Sequence, residues 1–254
     1  MTDSSSGAAG PTVVLVHGAF ADAGSWRAVT RRLVEAGVPV RAIVNPLRGV
    51  SVDAAYVASA ISQISGPVLA VGHSYGGAVI TNAVPQTTNV VGLVYVAAFA
   101  PDEGEALGEI LATSKDSVLT SAVLESQYPT GQGSETAAEV IVDPSKFREV
   151  FTADLPQMDS DVLGLSQRPI AAAAFGEKNA HPAWKDLPVW SAVGTEDKAA
   201  GSDIVKSMAE RAGATITEIP GSHVIMISQP DAVTEVILTA LKALTTTPSD
   251  AVPE

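Results

Sequence analysis

The chain has 254 residues, of which 46% are hydrophobic and 17% charged. That is enough apolar material for the core of one domain of ordinary to large size, and it excludes a disordered body. The net charge of -13 argues against nucleic acid and anionic membrane surfaces as partners, and the lack of cysteine excludes disulfides and thiolate metal sites.

The chain opens with a Ser/Gly/Ala-rich stretch, 1–10, expected to be a flexible leader. It has neither the positive nor the apolar region of a secretion signal, and no run of about 18 apolar residues follows. A cytoplasmic protein is therefore expected. Residues 12–16, Thr-Val-Val-Leu-Val, form a continuous β-branched run of the kind that makes a buried parallel strand. A helix is expected over 25–36, with Val29, Leu33 and Val34 on one face and Gly37 as its end. Residues 38–43 predict a second strand, at an edge or just starting, because Pro39 cannot donate to a ladder. Ser51 is a candidate cap for a helix running to about residue 64. Strands follow at 67–71 and 89–96, with a helix at 78–84 between them.

The alternation then stops. From 101 to 186 the sequence is richer in Glu, Asp, Ser and Pro, with short helical patterns near 105–112, 145–151, 157–165 and 170–175. We expect an inserted helical cap. Alternation resumes with a strand at 188–193, a helix at 202–212, a strand at 215–219 and a closing helix at 231–244, with Asp231 near its N-cap. Residues 245–254 are expected to be a flexible tail. Six strands alternating with helices predict an α/β fold, a mostly parallel sheet covered on both faces, formed by 11–100 and 187–244. Chemistry in such sheets gathers at the carboxyl ends of the strands.

The residues Gly72-His73-Ser74-Tyr75-Gly76-Gly77 lie between a predicted strand and a predicted helix. This is the G-x-S-x-G elbow in its required context, and it makes Ser74 a candidate nucleophile. A serine hydroxyl needs a base within hydrogen-bond reach. Of the four histidines, His73 lies inside the elbow and is expected to pack. His17 is expected to buttress the first loop, and His181 to be a surface residue. His223 follows the last strand in Pro220-Gly221-Ser222-His223 and is the candidate base. Asp197, in Gly194-Thr195-Glu196-Asp197, is the candidate acid that orients it, with Glu196 second. The order Ser74, Asp197, His223 is the order known for such elbows. Backbone N–H groups of Tyr75 and Ala19 are candidate oxyanion donors, and Gly18 and Phe20 are expected to border the substrate. No metal-ligand spacing and no G-x-G-x-x-G motif is present, so neither a metal nor a dinucleotide cofactor is expected.

Together, Val16-His17-Gly18-Ala19-Phe20, Trp26, the elbow, Gly194-Thr195-Glu196-Asp197 and Gly221-Ser222-His223 resemble the α/β-hydrolase superfamily. Within it they are most similar to the branch of plant methyl esterases and hydroxynitrile lyases and related bacterial hydrolases. The resemblance covers about 11–100 and 187–244. The lyases of that branch carry threonine after the first-loop histidine and lysine after the catalytic one; here stand Gly18 and Val224. The resemblance therefore implies hydrolysis of a small, largely apolar carboxylic ester through an acyl-enzyme. A lactonase, an amidase and a carbon–carbon bond hydrolase remain open, with a lyase and a non-catalytic receptor further off. Phe99, Tyr128 and Phe151 are candidate pocket liners, and a homodimer is a possible assembly.

Overall fold

The computed structural model describes residues 10–246. In chain order its elements are β1 (Thr12–Val16), α1 (Arg27–Glu35), β2 (Val40–Ile43), α2 (Val50–Ser62), β3 (Val68–His73), α3 (Tyr75–Ala83) and β4 (Val90–Val96). Next come α4 (Leu107–Leu111), β5 (Val123–Pro129), β6 (Thr136–Val142), α5 (Phe147–Phe151), α6 (Gln157–Ser166) and β7 (Ile170–Ala171). The chain closes with β8 (Val189–Gly194), α7 (Ser202–Arg211), β9 (Thr215–Ile219), α8 (Ile225–Ser228) and α9 (Pro230–Thr246).

Six strands form one sheet in the order β2-β1-β3-β4-β8-β9, and every pairing is parallel. All six residues of β3 are buried. Successive side chains of a strand point to opposite faces, so both faces of the sheet are covered. The β-branched and aliphatic residues of β1, β3 and β4 are the centre of the core. On the helical layers, α1 packs against α9 and α2 against α3. Pro39 precedes β2, which is an edge strand, as its missing N–H requires.

All six expected strands are present. Two local expectations are corrected. The N-cap of α2 is Gly49 and not Ser51; the Ser51 N–H and hydroxyl instead donate to Glu177 Oε2. The helix α9 runs to Thr246, two residues into the expected tail. The rest of that tail and residues 1–9 of the expected leader lie outside the described residues.

The insert between β4 and β8 holds the short helices α4, α5 and α6 near their expected places. It also holds a three-stranded antiparallel sheet, β5-β6-β7, so it is mixed and not wholly helical. Ile170–Ala171, expected to begin a helix, is β7, and a 3-10 turn follows at Ala172–Phe175. Strand β5 escaped the sequence pattern because most of its residues are exposed and no alternation of apolar and polar marks a face. Arg48, after β2, ties this sheet to the main body. It pairs with Glu139 at 3.0 Å and lies 4.3 Å over the Tyr128 ring. Among the described residues no helix is long and apolar enough to cross a membrane.

Candidate active site

Parallel pairing puts the ends of β1, β3, β8 and β9 at one edge of the sheet. The four loops that leave this edge carry the candidate residues. After β3 the chain turns sharply into α3, and Ser74 sits at the turn with φ 52° and ψ -124°. That is left-handed territory, which a residue with a Cβ enters only under strain. The turn closes because two neighbours lack side chains. A Cβ on Gly72 would lie 2.6 Å from the Gly76 carbonyl oxygen, and one on Gly76 would lie 2.5 Å from that of Val16. The carbonyl of Ser74 is held by Gly77 N–H at 2.9 Å and Phe99 N–H at 3.2 Å. Tyr75, first residue of α3, has a backbone N–H with no carbonyl one turn back to receive it.

His223 and Asp197 meet as expected. The Nδ1–H of His223 donates to Asp197 Oδ2 at 2.8 Å, and both side chains are buried. The other Asp197 oxygen accepts from Ala199 and Ala200 N–H, each at 2.9 Å. Glu196, the alternative acid, is exposed. The Nε2 of His223 is buried and has no hydrogen-bond partner among the described residues. The Ser74 hydroxyl is therefore not bonded to it. The two residues are linked through His73 instead, whose Nε2–H donates to the His223 carbonyl at 3.0 Å and whose ring lies 4.7 Å from that of His223. On another side Phe151 meets the imidazole edge-on at 4.6 Å. An imidazole with one nitrogen on a carboxylate and the other unpartnered can accept a proton at the second.

The histidine loop has further supports that the sequence did not announce. Ser222 donates its hydroxyl to Asp154 of the insert, and Gly221 accepts from Glu196 N–H at 3.0 Å. Burial raises the Asp154 carboxyl, but the Ser222 and Ser228 hydroxyls and nearby N–H groups outweigh it and hold it below the usual carboxylate range. The only available hint was a serine beside His223. Beneath the elbow, the Tyr75 phenol donates to the buried Asp53 at 2.8 Å, and Arg48 N–H donates to the same carboxylate at 3.1 Å.

In the first loop, His17 behaves as the buttress expected of it. Its Nδ1–H donates to the Gly18 carbonyl at 2.8 Å and its Nε2 accepts from Asn45 N–H at 2.9 Å. Burial lowers its pKa to about 4, with Arg168 adding to the effect, so the ring is neutral at pH 7. Gly18 is pressed on the elbow: a Cβ there would lie 2.7 Å from Ser74 Cβ and 3.0 Å from the His73 carbonyl oxygen. Ala19 is buried beside it, and its N–H has no partner among the described residues. Phe20 follows at φ 62°. His181 lies on the surface, paired with Asp186 at 2.8 Å.

A cavity of about 650 Å³ adjoins this assembly. Phe20, Phe147, Phe151, Leu155, Val224 and Met226 line its buried end. Ser74 and His223 are not in its lining; Phe151, whose ring lies on His223, Phe20, next to Ala19, and Val224, next to His223, are. Of the three liners expected, only Phe151 borders it. Phe99 is buried in the core, and Tyr128 stacks on Arg48.

Residues 13–236 match the family model described as the alpha/beta hydrolase family. No curated protein matches the chain significantly. Among solved structures, polyneuridine aldehyde esterase is 20% identical with a TM-score of 0.75, covering 91% of this chain and 99% of its own. A methylesterase from Arabidopsis is 20% identical with a TM-score of 0.73, covering 92% and 99%. A pyrethroid hydrolase from Sphingobium faniae is 20% identical with a TM-score of 0.72, covering 92% and 98%. At such identity the likeness is one of fold.

Proposed function

We propose, from the premise that the chain belongs to the alpha/beta hydrolase family, that it hydrolyses a carboxylic ester with Ser74 as nucleophile, His223 as general base and Asp197 as the acid that orients the base. The observation that carries this reading is the buried His223–Asp197 pair, whose Nε2 has no partner, anchored by His73 to a strained serine elbow. In the reading, a bound ester brings the Ser74 hydroxyl into contact with Nε2; such bonds often form only with substrate in place. Nε2 takes the hydroxyl proton as Oγ attacks the carbonyl carbon. Asp197 stabilises the resulting imidazolium. The N–H groups of Ala19 and Tyr75 receive the oxyanion, and loss of one such donor typically costs about 3–4 kcal/mol. His223 then gives its proton to the departing alcohol. Water, deprotonated by the same nitrogen, releases the acid and restores Ser74.

Two further points support an ester as the substrate. The similar folds include proteins named as an esterase, a methylesterase and a pyrethroid hydrolase. The residue after His223 is the buried Val224, which cannot carry the positive charge that a departing cyanide would need. The test is turnover of p-nitrophenyl esters of rising acyl length, with labelling by a serine-directed phosphonate. Hydrolysis is expected, and Asp197→Asn should lower kcat on the order of ten-thousand-fold, because the amide would hold the imidazole in the wrong tautomer and could not stabilise its charged form. A folded protein that is labelled yet inert to every ester would overturn the ester assignment and move the reaction to lactones, amides or carbon–carbon bonds.

A further inference from the structure

The cavity beside the site changes character along its depth. Its buried end is apolar and meets the site at Phe20, Phe151 and Val224. Its exposed end is charged: Arg27, Arg31 and Arg32 of α1 stand there with Asp22 and Asp159. Not all of these charges are available. Arg32 is bound to Asp231, and Asp22 accepts from Gly24 N–H at 2.7 Å. Arg48 and Arg211 likewise hold carboxylates, and Arg168 holds the Asn45 carbonyl. The guanidiniums of Arg27 and Arg31, one helical turn apart, have no ion-pair or hydrogen-bond partner among the described residues; those of the exposed Arg41 and Arg148 have none either, but only Arg27 and Arg31 border the cavity. Two uncommitted guanidiniums thus open a cavity in a protein of net charge -13. A neutral apolar substrate has no use for them. An amphipathic one does, since guanidinium binds oxyanions through paired, charge-assisted hydrogen bonds.

We propose that the substrate is an amphipathic ester whose apolar body fills the cavity and whose far end is a carboxylate or other oxyanion held by Arg27 and Arg31. This rests on the esterase reading above. For the ester to reach Ser74 while its tail lies in the cavity, the Phe20 and Phe151 rings, 6.0 Å apart and edge to face, must part. Asp159 across the mouth opposes the anion and limits its affinity.

The test compares p-nitrophenyl hydrogen suberate with p-nitrophenyl octanoate, which share a chain length and differ in the terminal carboxylate. The wild type should prefer the suberate ester, and added salt should weaken the preference. The ratio of the two kcat/KM values should fall about tenfold in the Arg27→Gln, Arg31→Gln double variant and rise in Asp159→Asn. Hydrolysis of both esters with one ratio in all three proteins would overturn the anion subsite and leave the esterase reading standing. Should neither ester turn over, calorimetry with octanoate and octanamide reads the subsite alone. Tighter octanoate binding that the double variant loses would keep the subsite and sink the esterase reading; equal binding would overturn the subsite.

Discussion

Ser74 could be picked out from the sequence because the elbow needs glycine on both sides of it, and glycine is visible in a sequence. The clearances give the reason: Gly72 and Gly76 have no room for a Cβ. His223 and Asp197 were legible by position, each in the loop after a strand. Choosing Asp197 over Glu196 agrees with burial, since only Asp197 turns inward. Less legible was the part played by His73, because packing could be foreseen but its bond to the His223 carbonyl could not. The first-loop glycine gives a sharp prediction. In Gly18→Ala the new methyl would lie 2.7 Å from Ser74 Cβ. Overpacking of this kind costs about 1–3 kcal/mol, so urea unfolding should show that loss, and kcat on a p-nitrophenyl ester should drop at least about tenfold as the elbow is pushed aside. Wild-type values for both would show that the loop yields freely.

Between elements, the contact that most bears on function is the one joining the insert to the loop between β9 and α8. Asp154 and the Phe151 carbonyl both receive the Ser222 hydroxyl, and the Phe151 ring lies on His223. The end of α5 and the turn after it therefore brace the histidine loop from the insert. Asp154→Asn is expected to lower kcat about tenfold with little change in KM, and Ser222→Ala to do the same. The double variant should add little to either, because both changes weaken the same Ser222–Asp154 contact. Fully additive losses, measured by steady-state kinetics, would show that the two side chains act separately. The β5-β6 hairpin was missed although Gly131 and Gly133 between its strands were a turn signal. Its strands bury too little for periodicity to show, and their placement depends on long-range contacts such as Arg48 with Glu139, which no local pattern encodes.

At the scale of the whole molecule, the parallel ladder followed from the alternation of strands and helices, whereas the strand order β2-β1-β3-β4-β8-β9 came only with the structure; the candidate site lies at the carboxyl edge of that sheet. Burial has a further consequence for pH. His17 titrates near 4 in the folded protein against an ordinary 6.5, so the unfolded chain binds more protons between these values. The stabilisation is complete above about pH 6.5 and is lost as pH falls toward 4, by about 3 kcal/mol. Buried His73, also lowered by burial and by His223, acts in the same direction. Denaturant unfolding followed from pH 7 to 4 should show this loss, and His17→Gln should flatten the slope; an unchanged slope would show that His17 is already accommodated as a cation. The proposed turnover belongs to this scale too, since the reading draws on loops from β1, β3, β8 and β9 at once. The most direct test of the account is kcat on a p-nitrophenyl ester for wild type and Ser74→Ala, with folding checked by circular dichroism. Removing the nucleophile of such a triad can cost on the order of a million-fold. The account predicts activity in the wild type and none measurable in the variant; equal activity in both would contradict it.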